Sequence, residues 1–151
     1  MTATPLDAWG HWLKGSLWAY PALEAVHIAG IALLFGALVV LELRLLGLGR
    51  AIDVLPLARL ALPVSLFGFG VAACSGLMLF AADAFDLLIN PAFRLKMLVL
   101  VLVLVLAATN AALFHATGGL RGVGIMAKLQ LTVSLLLWLT VIACGRMIAY
   151  V

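Results

Sequence analysis

Apolar residues run along this chain in four long blocks, and polar residues gather in the short stretches between them. The first block, about Pro21 to Leu46, is broken only by Glu24, His27, Glu42 and Arg44. The second, about Leu60 to Ala82, carries Ser65 and Ser75 as its only hydroxyls. The third, about Phe93 to His115, contains the run MLVLVLVLVLAA, and the fourth extends from about Lys128 to Ile148. A bilayer core about 30 Å thick is crossed by about 20 apolar residues in a helix, so each block is long enough to span it. Alternation in the third block imitates a strand, but an open strand cannot satisfy its backbone in lipid, and length decides for helix. Ahead of the spans, PLDAWGHWLKGSLWAY places Leu6, Trp9, Trp12, Leu13 and Leu17 at helical spacing. This predicts a short interfacial helix over about 5–19, anchored at headgroup level by Trp12, Trp18 and Tyr20 and turned into the first span at Pro21. Breakers occupy the connections: Gly47, Gly49 and Pro56, then Asp83, Asp86, Asn90 and Pro91, then GGLRGVG at 118–124.

The expected architecture is all-α: an antiparallel four-helix transmembrane bundle with an N-terminal interfacial helix, forming one integral membrane domain over residues 1–151. Composition agrees. Hydrophobic residues make up 67% and charged residues 10%, against about 45–50% and about 25% in ordinary globular domains. Too few polar side chains remain to coat a water-facing surface, so the lipid bilayer is the first partner. The net charge of +3 comes from basic residues scattered over the whole chain, which build no nucleic-acid face. Arg44, Arg50, Arg59, Arg121 and Lys128 follow the first and third spans, against Lys14, Arg94, Lys96 and Arg146 on the opposite side. That count places both termini in the periplasm, if the membrane is the bacterial inner membrane. The first twenty residues hold three tryptophans and no compact apolar stretch of the kind a cleavable signal needs.

Ionisable residues inside a span are costly and tend to face the bundle interior, which makes each one a candidate. Glu24 and His27 lie three apart on one helical face, and Arg94, Lys96 and Arg146 enter their spans from the same side of the membrane. These five define a cationic site suited to an anionic guest, a propionate-bearing porphyrin or a phospholipid headgroup. Snorkelling into the headgroups is the competing explanation for the three cations, and an interhelical hydrogen bond is the competing one for His27. A second, weaker group toward the opposite face comprises Arg44, Asn110 and His115, with Glu42, Thr117 and Gln130 nearby. Glu42 and Arg44, two apart, point in different directions. His27 and His115 differ in depth by about 20 Å at 1.5 Å per residue, so they cannot both ligate one haem within a monomer. The ligand opposite His27 is then water, Lys96, Met78, Met147 or the His27 of a second, parallel copy. Cys74, Cys144 and His27 share a depth, a soft donor set that suits copper, although AACSG and IACG also read as small-residue packing strings.

The pieces YPALEAVHIAG, LELRLLGLGR, NPAFRLKMLVL, TNAALFHA and GRMIAYV together resemble a group of small bacterial four-helix integral membrane proteins of unknown function. The resemblance covers nearly the whole chain; it implies the fold and singles out Glu24, His27, Arg44, Lys96, Asn110, His115 and Arg146. Where that group carries an aspartate, this chain has Glu42. More distantly, the first-span histidine followed by glycines and an Arg-Leu pair is similar to the four-helix membrane protoporphyrinogen oxidases and the copper-resistance D membrane proteins. That likeness implies haem b at His27, and with it a porphyrin or redox role. The aromatic-rich stretch that follows the histidine in the oxidases is absent here.

The expected function is a b-haem-binding electron-transfer protein with His27 on the iron, Arg94, Lys96 and Arg146 neutralising propionates, and Glu24 orienting the histidine or relaying protons. Its partners are a periplasmic or membrane redox protein and, for a shared haem, a second copy of the chain. Whether it is itself an enzyme is left open. The alternative is a non-catalytic accessory subunit of a larger membrane complex, or a small transporter using the Glu24–His27–Lys96 group as an intramembrane relay. Copper handling comes third.

Overall fold

A computed structural model describes the backbone of residues 5–116, 124–148 and 150, and the side chains of 8–109, 124–148 and 150. The fold is all-α, with no strand among the described residues. Six helices follow one another: α1 Pro5–Gly15, α2 Ala19–Leu46, α3 Val54–Ala82, α4 Ala84–Ile89, α5 Pro91–Ala116 and α6 Ile125–Met147. Four stretches, Ala19–Leu46, Val54–Ala82, Pro91–Thr109 and Ile125–Met147, are long and apolar enough to cross a membrane. The protein is a multi-pass membrane protein. Large apolar side chains such as Ile28, Leu66, Leu102 and Leu136 stand exposed along these helices, as lipid-facing residues do.

The helix ends show why the spans begin and stop where they do. Ser16 breaks the interfacial helix earlier than expected, its Oγ accepting from the Ala19 N–H at 3.2 Å, so α1 stops at Gly15 and α2 begins two residues before Pro21. Pro21 then sits in the first turn, where its missing N–H has no intrahelical partner to lose. At the far end of α2, the Leu48 N–H reaches the Leu43 carbonyl and the Gly47 N–H that of Arg44, with Gly47 at φ +111°. This is a Schellman cap, and its left-handed residue favours glycine. The Asp83–Pro91 stretch, read as a connection, contains the short helix α4. Asn90 and Pro91 are a helix start rather than a break: Asn90 Oδ1 accepts from the N–H groups of Ala92 (2.9 Å) and Phe93 (3.2 Å), with proline at the first helical position.

The chain falls into two compact units, Met1–Leu41 with Leu55–Leu87, and Glu42–Val54 with Leu88–Val151. In the first, α2 and α3 run antiparallel and touch backbone to backbone. A Cβ on Gly30 would stand 2.7 Å from the Ala72 nitrogen, and one on Gly68 would stand 2.5 Å from the Leu34 nitrogen. Small residues at a membrane crossing allow this approach and the dispersion contacts that come with it. The interfacial helix α1 docks on the end of α3: Gly10 lies against Ala82, Trp9 Nε1 donates to the Met78 carbonyl at 3.3 Å, and Lys14 pairs with Asp83. Leu13 is buried beneath it, while Trp12, Leu17 and Trp18 remain exposed.

The Lys14–Asp83 pair gives a signed expectation. Its hydrogen bond holds the Lys14 ammonium above the ordinary value of 10.5, so its contribution is fully present below that value and fades as pH rises through the raised one. The Lys14 side chain is about half exposed, which keeps the pair to less than about 1 kcal/mol. Asp83→Asn is expected to loosen α1 at neutral pH, and alkaline titration of the unsubstituted chain to do the same. Quenching of Trp9 and Trp12 fluorescence by an aqueous quencher reads both; equal quenching in variant and parent contradicts this role.

In the second unit α5 and α6 pack together, with Val99 and Val103 of α5 buried and Ser134, Trp138, Val141 and Cys144 forming the inward stripe of α6. Asn90 Nδ2 donates to the Ile148 carbonyl at 3.2 Å and ties the start of one helix to the end of the other.

Candidate functional site

His27 is half-buried on α2 and faces α3. Its Nδ1 lies 2.9 Å from the Ala72 carbonyl and 3.1 Å from Ser75 Oγ. A carbonyl can only accept, so Nδ1 carries the proton. Ser75 sends its own hydroxyl hydrogen to the Val71 carbonyl at 2.6 Å, which turns an oxygen lone pair toward the imidazole. With the proton on Nδ1, the basic lone pair of the ring belongs to Nε2. Gly76 makes the placement possible, because a Cβ there would meet His27 Cε1 at 2.9 Å. On the same pair of helices lies an apolar groove of about 440 Å³, walled by Leu23 and Val26 of α2 and by Phe67, Gly70, Val71, Cys74, Ser75 and Met78 of α3.

Glu24, one turn before His27, is exposed, and among the described residues it makes no hydrogen bond or ion pair. The three expected cations belong to the second unit, near the start of α5 and the end of α6. Arg94 is exposed. Lys96 is half-buried, and its stem lies in the notch left by Gly145, where a Cβ would come 3.5 Å from Nζ. Arg146 donates to the Tyr150 hydroxyl at 2.9 Å and stacks over that ring at 5.2 Å.

Of the weaker group, Arg44 is spent on the loop after α2: Nε donates to the Ile52 carbonyl and Nη2 to that of Arg50 at 3.3 Å. The side chains of Asn110 and His115 lie outside the described residues, as do those of Thr117 and Arg121. Glu42 turns away from Arg44 and is buried, with Ser134 Oγ donating to its Oε1 at 2.7 Å. Cys74 is exposed and Cys144 buried, both as free thiols. Among the described residues no three His, Cys, Asp or Glu side chains gather as a metal site would need.

Comparison with protein-family models, curated proteins and solved structures finds no match to this chain.

Ser75 and Ser134 are what the sequence reading passed over. Each is the hydroxyl that meets an ionisable side chain of another helix. The available signal was a serine on the inward face of a span, one turn from Ala72 and two from Gly68 in the first case, and one turn from Trp138 in the second.

Proposed function

We propose that the protein binds haem b in the bacterial inner membrane and serves electron transfer, with His27 as a ligand to the iron. The observation that carries this reading is the imidazole fastened through Nδ1–H to the Ala72 carbonyl and Ser75. Histidines that ligate metals characteristically donate their other ring N–H in this way, which fixes tautomer and orientation and makes the coordinating nitrogen more basic. An apolar groove of about 440 Å³ with the Met78 thioether on its wall lies on the same pair of helices, although His27 is not among the residues that line it. Gly70, with open space where a Cβ would stand, leaves one wall of that groove flat.

Haem, once bound, supplies one-electron exchange at the iron. The chain does the rest. Ala72 and Ser75 would hold the imidazole, and Leu23, Val26, Phe67 and Met78 would offer the group an apolar wall. The five basic residues Arg44, Arg50, Arg59, Arg121 and Lys128 near the connections after the first and third spans, against Lys14, Arg94, Lys96 and Arg146 on the opposite side, support periplasmic termini. The resemblance to small four-helix membrane proteins supports the bacterial inner membrane.

The test is a visible spectrum of the detergent-purified, haem-supplied protein, air-oxidised and then reduced with dithionite. The expected result is a Soret band with a reduced α band, lost in His27→Ala and regained when imidazole is added to that variant. Ser75→Ala is expected to retain the band but to release haem more readily, by about tenfold or more, as loss of an orienting partner does. A preparation with no Soret band, or a His27→Ala variant with the band intact, overturns the reading.

A further inference from the structure

We propose that Glu42 is a proton-binding site inside the membrane, a carboxyl that rests as the neutral acid under the Ser134 hydroxyl and exchanges its proton with water. This is independent of haem and belongs to the other unit of the chain. Glu42 lies within the first span, 7% exposed, and Ser134 lies well inside the fourth, 8% exposed. Ser134 Oγ donates to Oε1 at 2.7 Å. Oε2 is fully buried and has no hydrogen-bond partner among the described residues.

An ionised carboxylate there would need donors for several lone pairs and has one. Removing such a charge from water costs several kcal/mol when nothing balances it, and none of the described cations of the same unit does. Arg44 and Arg50 give their donors to carbonyls of the loop after α2. On α6, Lys128 is exposed toward the start of the helix and Arg146 is held by Tyr150 at its end. On α5, Lys96 lies against Gly145, about 16 Å along α6 from Ser134 at about 1.5 Å per residue; Arg94 is exposed still nearer the start of that helix, and the Asn110 and His115 side chains lie outside the described residues. Asp53, the acid of the loop, is exposed. A proton on Oε2 removes the charge at once. Among the described residues no three His, Cys, Asp or Glu side chains gather there as a metal site would need.

Two measurements on the full chain in lipid nanodiscs test this. Infrared spectroscopy at neutral pH should show the C=O stretch of a neutral carboxylic acid that shifts down in D2O and is missing in Glu42→Gln. Dicyclohexylcarbodiimide, a lipid-soluble reagent for neutral carboxyls, should modify Glu42. The acid O–H adds across one C=N bond, the proton goes to nitrogen and the oxygen to carbon, and acyl migration to nitrogen then leaves an adduct one reagent mass heavier. Mass spectrometry should place that adduct on the Glu42 peptide, with the label declining as pH is raised. An unlabelled Glu42 peptide, no neutral-acid band, a band that Glu42→Gln leaves in place, or a band unmoved by D2O each overturns the proposal. Should Glu42→Gln fail to fold, the labelled peptide and the D2O shift of the parent chain decide.

Discussion

Replacing Gly68 by valine is expected to cost about 3 kcal/mol or more of folding stability, the upper end for overpacking a tight contact. The Cβ alone would stand 2.5 Å from the Leu34 nitrogen and 2.8 Å from the Gly30 carbonyl oxygen. Both are backbone atoms, so no rotamer change relieves the clash; the two helices must move apart. Separation pulls the Ala72 carbonyl and Ser75 away from His27, because both lie within two turns of Gly68 on α3. Under the proposed haem-binding function, haem retention should fall together with stability. Gly36→Val is the matched control, since nothing lies within 4 Å of a Cβ there, and it should change stability by less than about 1 kcal/mol, the scale of propensity differences. Unfolding followed by helical circular dichroism in mixed detergent micelles separates the two variants. Similar midpoints for both would mean that the α2–α3 contact is looser than its geometry requires.

Ser134→Ala has the second large expected effect. It removes the one hydrogen bond that Glu42 makes among the described residues and leaves a buried acid with neither oxygen satisfied by them. Orphaning a buried polar group costs about 1–3 kcal/mol. The double variant Glu42→Leu with Ser134→Ala should recover much of that loss, because replacing both partners by apolar groups is often near neutral. The same micelle unfolding assay applied to the two single variants and the double gives the coupling directly. Additive costs would show that carboxyl and hydroxyl do not depend on each other.

These two expectations concern contacts that differ in how far the chain announces them. Gly30 and Gly68 are visible as small residues in spans, yet Gly36 and Gly70 look the same in one dimension and have open space around them. Glu24 and His27 share a helical face by spacing, but only His27 meets α3, while Glu24 is exposed. Glu42 and Arg44 are adjacent polar positions at one span end, and they go to a helix and a loop respectively. Arg146, read as a partner for an anionic guest, spends its guanidinium on Tyr150 at its own helix end.

Span number and helical character follow from the chain alone. Hydrocarbon about 30 Å thick demands about 20 apolar residues and a backbone that satisfies itself, and both conditions are local. Helix ends are nearly as local, since Ser16, Gly47, Asn90 and Pro91 act within a turn of themselves. Pairing of the polar side chains is not. Helices that are apolar all round carry no stripe to say which side turns inward, so rotation is set by where backbones can approach. That approach, at Gly30 against Gly68 and Ala72 in one unit and at Lys96 over Gly145 in the other, is what brings Ser75 to His27, and packing of the same kind places Ser134 beside Glu42.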